Sequence, residues 1–166
     1  MEHITLNGKD YEVIRLLGRG KGGYSYLVQK DGEEFVLKQI HHEPCDYYTF
    51  GDKLAAEKND YLRLLPTRIL MPKLLEIDFE AERILKEYIE GPTAEELVKT
   101  GALKESHLQQ VRQMAAQAKA ADLNIDYYPT NFILNGDQLY YIDFECNDFM
   151  EEWSFETWGK QYWQIK

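Results

Sequence analysis

The segment Asn124-Ile125-Asp126-Tyr127-Tyr128-Pro129-Thr130-Asn131, with Asp143-Phe144-Glu145 beginning twelve residues further on, constrains this chain more than any other stretch. Between the two lie an apolar run Phe132-Ile133-Leu134, a turn Asn135-Gly136-Asp137 and a second run from Leu139 to Ile142. Two β-favouring runs joined by Asn, Gly and Asp read as a hairpin, because these residues supply the positive φ angles that a tight turn needs. The hairpin brings Asn131, just before its first strand, back to Asp143, just after its second. Their oxygens can then face one hard cation, while Asp126 is left to accept a proton nearby.

Upstream, Tyr11 to Leu17 is apolar and β-branched enough for a strand, and it runs directly into Gly18-Arg19-Gly20-Lys21-Gly22-Gly23. A second strand, Tyr24 to Val28, follows. Lys30-Asp31-Gly32-Glu33 signals a two-residue hairpin turn, and Glu34 to Ile40 returns as a third strand in which Lys38 points to the face opposite Leu37. Gly18, Gly20 and Gly23 fit Gly-x-Gly-x-x-Gly, a weak pattern alone. A dinucleotide-binding fold would place a helix after these glycines, whereas here a strand and a hairpin follow. The plainer reading is a flexible hairpin tip.

From about Thr49 to Leu65, Phe50, Leu54, Tyr61, Leu62 and Leu65 recur at helical intervals, predicting an amphipathic helix stopped by Pro66. Glu57 lies within it, nineteen residues after Lys38. Met71 to Phe79 and Arg83 to Ile89 read as two strands. Thr93 to Lys99 reads as a short helix with Thr93 and Glu96 spaced as a capping box, and Leu103 to Leu123 as a longer, alanine-rich one. Its Met114, Ala115, Ala118 and Ala121 suit core packing. The tail interleaves Phe149, Trp153, Phe155, Trp158, Tyr162 and Trp163 with Asp148, Glu151, Glu152 and Glu156. It predicts either a final helix packing its aromatics or a cation-binding surface.

With 166 residues, the chain is long enough for one sizeable core. A formal net charge of −10 argues against nucleic acid or an anionic membrane as the main partner and favours a cationic one. Met1-Glu2-His3 carries no basic and apolar leader, and no long apolar run occurs, so a cytoplasmic protein is expected. Cys45 and Cys146 lack metal-ligand spacing and read as reduced thiols.

The ordered set of glycine loop, Lys38, Glu57, Glu87-Tyr88-Ile89-Glu90-Gly91, Asp126 with Asn131, and Asp143-Phe144 resembles the protein kinase-like superfamily. It is similar to a minimal bacterial-type kinase, near the aminoglycoside and choline phosphotransferases and the small atypical, RIO-type serine/threonine kinases. The resemblance implies an α+β, bilobal kinase-like fold in a single domain. Residues 1–90 would form an N-lobe with an antiparallel β-sheet and 91–166 a truncated, mainly helical C-lobe, with ATP between them. It also implies roles residue by residue. Gly18, Gly20 and Gly23 would cover the phosphates, Lys38 would hold them and Glu57 would orient Lys38. The carbonyl of Glu87 and the amide of Ile89 would bind adenine, Asn131 and Asp143 would bind Mg²⁺, and Asp126 would be the catalytic base. Lys86 stands where the family has an apolar residue, and is expected to reach toward Glu145.

Three departures matter. Asn124-Ile125 replaces the His-Arg of protein kinases, and Tyr128 stands where they carry Lys and the aminoglycoside enzymes His, so one cation near the transferred phosphoryl is missing and slow turnover is expected. Glu145 replaces the glycine after Asp-Phe, and suits either a further metal contact or a supporting role. Only twenty-three residues follow Asp143, too few for the peptide-docking helices of an ordinary protein kinase, and the apolar surface so exposed would suit a homodimer. The implied activity is ATP- and Mg²⁺-dependent phosphoryl transfer to a hydroxyl of a protein serine or threonine, or of a small, cationic molecule. The competing readings are a pseudokinase that binds nucleotide or a partner without transfer, and an interaction module built on the aromatic tail.

Overall fold

A computed structural model describes residues 2–20, 22–42 and 52–163; Lys21, Cys45, Thr49 and Phe50, on which parts of the expectations above fall, lie outside them. The chain divides into two compact units, Met1–Lys58 with Lys73–Tyr88, and Asn59–Pro72 with Ile89–Lys166.

The first unit is a six-stranded sheet of β1 (His3–Leu6), β2 (Lys9–Arg19), β3 (Gly23–Lys30), β4 (Glu33–Ile40), β5 (Leu74–Asp78) and β6 (Arg83–Glu87), in the order β1-β2-β3-β4-β6-β5. Every neighbouring pair is antiparallel. Two of its hairpins turn on left-handed residue pairs, Asn7-Gly8 (φ 49° and 78°) and Asp31-Gly32 (φ 52° and 81°), whose twist matches that of the strands they join. The sheet is curled. Asn7, at the β1 edge, donates its backbone N–H to Asp78 Oδ2 (2.8 Å) and its side-chain amide to the Ile77 carbonyl (3.0 Å), both on β5 at the opposite edge. Leu6, Tyr11, Val28, Leu37 and Leu85 fill one cluster of the interior. Helix α1 (Lys53–Leu64) begins where Asp52 Oδ1 accepts the Ala55 N–H (3.0 Å), and Leu54 packs with Ile40 and Ile84 in a second cluster. The α-helix ends at Leu64, and Pro66 sits in the 3₁₀ turn that follows, Leu65–Thr67.

The second unit holds α2 (Ala94–Thr100), α3 (Glu105–Ala120), β7 (Leu123–Ile125), β8 (Phe132–Asn135), β9 (Gln138–Tyr141) and β10 (Cys146–Asp148). Thr93 caps α2 by accepting the Glu96 N–H at 3.2 Å, as the Thr-x-x-Glu spacing predicts. Asp122, left-handed at φ 60°, turns the chain from the end of α3 into β7. β8 and β9 form the expected hairpin with Gly136 at φ 61°, and β7 pairs antiparallel with β10. Val111, Met114 and Ala118 of α3 pack with Phe132, Leu139, Tyr141, Phe155 and Trp163 in one core.

These elements overturn the expected bilobal kinase-like fold with a mainly helical C-terminal half. Among the described residues the chain is α+β but mostly antiparallel strand, with three α-helices of 12, 7 and 16 residues. The reason lies in the residues themselves. Leu123 to Asp148 alternates short apolar runs with Asn, Gly and Asp, a strand-and-turn pattern, and leaves no length for further helices. The tail is likewise no final helix but two 3₁₀ turns, Glu151–Trp153 and Gly159–Tyr162. Ser154 Oγ accepts the Thr157 N–H (3.2 Å), a local bond that competes with helix formation. Phe155 and Trp163 are buried in the core, while Trp153 and Tyr162 stay exposed. No helix among the described residues is long and apolar enough to cross a membrane.

Candidate functional site

In the first unit, strand β4 delivers Lys38 to the face opposite Leu37, and one helical turn into α1 Glu57 meets it. Lys38 Nζ lies 2.5 Å from Glu57 Oε1, with the two side chains 16% and 10% exposed. Burial on this scale strengthens the attraction and raises the cost of losing either partner. The second oxygen of Glu57 is buried and has no hydrogen-bond partner among the described residues, so it remains open to a donor.

The glycines flank this pair. Gly18 lies in β2 beside an irregularity of the β2–β3 register, and the Gly20 N–H donates to the Gly23 carbonyl (2.9 Å). A side chain at Gly18 would meet nothing within 4 Å, and one at Gly20 only the Gly23 carbonyl at 4.0 Å. Gly23 differs: its Cβ would fall 2.4 Å from the Gln39 carbonyl oxygen, so packing against β4 alone demands glycine there. Gly22 stands 3.8 Å from Lys38 Nζ by the same measure. Glu87 closes β6. Its N–H donates to the Lys73 carbonyl (3.0 Å) and its Oε1 accepts the Lys73 N–H (3.2 Å), which leaves its carbonyl outside both bonds. Ile89 follows in irregular, half-buried backbone. Lys86, opposite Val36 on β4, is buried.

In the second unit, the β8–β9 hairpin returns the chain as expected, and the Ile142 N–H donates to the Asn131 carbonyl at 2.9 Å. Asp126 follows β7 directly. Its Oδ1 accepts the Tyr128 N–H (3.1 Å), and its carbonyl accepts the Asn131 side-chain amide (3.3 Å), so Asp126 and Asn131 are tied to one another. Asp126, Asp143 and Glu145, all half-buried, each place one carboxylate oxygen within 4.8 Å of the others. Oxygens on opposite sides of an octahedral Mg²⁺ stand about 4.2 Å apart, so small side-chain rotations bring such a set onto one hard cation. Carboxylates with an adjacent Asn amide are the donor chemistry such an ion takes.

The sequence suggests Asn131 and Asp143 at a cation with Asp126 nearby. The structure brings Asp126 together with Asp143 and Glu145, and Glu145 joins them because β10 starts at the next residue and pairs with β7, Cys146 opposite Ile125. Tyr141 is a further residue of the site, absent from the sequence expectation. Its hydroxyl accepts the Asp126 N–H (3.1 Å) and donates to the Glu145 carbonyl (2.7 Å). The visible signal was a Tyr on the inward face of β9, since a buried hydroxyl needs partners. Burial, then the negative charge of Asp143, pushes that hydroxyl well above the ordinary tyrosine range, so it stays protonated and able to donate.

Beside this cluster the exposed Tyr128 ring packs on Tyr162 (5.1 Å between centroids), Tyr162 on Trp158 (5.3 Å) and Trp158 on Trp153 (5.8 Å). The tail aromatics thus divide between core and surface. No model of a known protein family matches the chain, and no curated protein matches it.

Proposed function

We propose that this chain is an ATP- and Mg²⁺-dependent phosphotransferase, cytoplasmic, that moves the γ-phosphoryl group to a hydroxyl of a protein serine or threonine or of a small molecule. The observation that carries the reading is the half-buried grouping of Asp126, Asp143 and Glu145 beside Asn131. Carboxylate oxygens gathered this closely are the donor set a hard cation takes, and that supports the reading. The Lys38–Glu57 pair adds the phosphate-binding cation, already oriented.

Asn131, Asp143 and Glu145 would hold the cation, which would neutralise phosphate charge. Lys38 binds phosphate oxygens and Glu57 fixes its direction. The acceptor hydroxyl oxygen forms the new bond to phosphorus, the bond to ADP breaks, and Asp126 takes the hydroxyl proton. Tyr128 supplies no positive charge beside Asp126, so turnover is slow. Binding without transfer is the second reading, favoured by that same neutral, exposed ring.

The test is the thermal midpoint with ATP, with and without Mg²⁺, for the parent and for Asp143→Asn. A ligand at one hundred times its Kd stabilises by about 2.7 kcal/mol. Mg²⁺-dependent stabilisation in the parent and its loss in the variant are expected. No stabilisation in the parent under either condition overturns the nucleotide reading. Stabilisation without ATP turnover that Asp126→Asn reduces decides for binding alone.

A further inference from the structure

We infer that Tyr141 is a positioning residue whose hydroxyl sets the separation of the two backbone segments carrying Asp126 and Glu145, and so places Glu145 at the cation and Asp126 beside it. The inference rests on the cation site proposed above. β7 and β10 pair through Ile125 opposite Cys146, so the next rung beyond their ladder is Asp126 opposite Glu145. In an unbroken antiparallel pair these two would meet without an intervening group. Here the Asp126 N–H instead donates to the Tyr141 hydroxyl (3.1 Å), which donates onward to the Glu145 carbonyl (2.7 Å). One rung of the ladder has become two hydrogen bonds with an oxygen between them. The strands are wedged apart where the two acidic residues begin, and one carboxylate oxygen of Asp143 lies within 4.8 Å of one from each.

The wedge is rigid. Tyr141 is fully buried, its ring lies 5.2 Å from that of Phe132, and its own N–H donates to the Leu70 carbonyl (2.9 Å). A phenylalanine would fill the same space, so the hydroxyl is surplus to packing and its two bonds are its purpose. Both bonds go to backbone atoms of the segments that bear the acidic side chains. A fixed backbone spacing sets where those side chains begin, and so limits the positions their carboxylates can take.

Tyr141→Phe removes one oxygen and tests this with Mn²⁺ alone as the probe, read by water-proton relaxation, together with amide exchange at Asp126. The variant is expected to lose about tenfold or more in Mn²⁺ affinity, the usual cost of losing a group that supports metal ligands. Its Asp126 amide is expected to exchange faster. Leu139→Val, on the same buried face of β9, is the control for lost packing and is expected to leave Mn²⁺ affinity unchanged. A parent that binds no Mn²⁺ overturns the cation site, and with it the purpose given to Tyr141. A parent that binds Mn²⁺ through Asp143, with Tyr141→Phe binding equally well, overturns the role of Tyr141 alone. Should the variant fail to fold, the parent still decides: a slowly exchanging Tyr141 hydroxyl proton with a nuclear Overhauser contact to the Asp126 amide is expected, and its absence refutes the wedge.

Discussion

Lys38 and Glu57 are 2.5 Å apart and 16% and 10% exposed, so the pair should behave as one unit when either partner is removed. Lys38→Met keeps the aliphatic stem and deletes the charge, which strands a carboxylate whose second oxygen already lacks a hydrogen-bond partner among the described residues. Breaking a buried pair from one side costs about 3–5 kcal/mol. Taking the lower end, because neither side chain is completely buried, Lys38→Met should lose about 3 kcal/mol. For a chain of this size that is a fall of roughly 6–12 °C in Tm. Glu57→Gln keeps the shape and costs less, about 1–3 kcal/mol, as for a lost hydrogen bond to a charged group. The double variant no longer contains the stranded carboxylate, so its loss should fall short of the sum of the singles by about 1.5–3 kcal/mol. Urea unfolding of the four proteins measures that difference. Additivity within about 0.5 kcal/mol would show that the two side chains act independently, and would remove the oriented cation from the mechanism.

The remaining expectations separate packing from chemistry. Gly18→Ala meets open space and should leave stability unchanged while weakening ATP binding, whereas Gly23→Ala collides with the Gln39 carbonyl and should lose stability first; thermal melts beside ATP titrations sort the two. His107 is buried at the start of α3 and accepts the Lys104 N–H (3.0 Å) on Nδ1; burial, then the Lys104 charge, holds its pKa below the ordinary value. Its contribution to stability is therefore complete above about pH 6.5 and lost as pH falls below that toward the lower folded value, so the parent's urea midpoint should drop more steeply than that of His107→Gln between pH 7.5 and 5. Burial, then the charge of Asp60, pushes the Cys146 thiol up to about 12, so iodoacetamide at pH 8 should leave Cys146 unmodified in the native chain and alkylate it in urea, as peptide mass spectrometry will report.

What was legible in the sequence is what neighbouring residues decide among themselves. Asp31-Gly32 turned its hairpin, Thr93 capped its helix and Asn135-Gly136 returned the chain, each through a backbone preference that needs no distant partner. The Asn7-Gly8 turn carries the same signal, upstream of the strand expected from Tyr11. The mainly helical C-terminal half was expected from resemblance, while the hairpin of Phe132 to Ile142, read from local residues, formed. In the tail, aromatic spacing suggested one helix, but Ser154 and Gly159 divide it, and a Cβ at Gly159 would lie 2.6 Å from that of Tyr127.

The candidate site was half legible for a related reason. Asn131 and Asp143 are joined by a hairpin whose turn and strands are contiguous in sequence, so their approach could be reasoned out. Asp126 and Glu145 meet through β7 and β10, three residues each, too short to announce a register by periodicity. Only the register reveals that Tyr141, two residues before Asp143, stands in place of a backbone hydrogen bond. The functional reading consequently draws nothing from the overall fold. It depends on two local constructions, the buried Lys38–Glu57 pair in one unit and the wedged carboxylates in the other, and each can fail by its own measurement while the other stands.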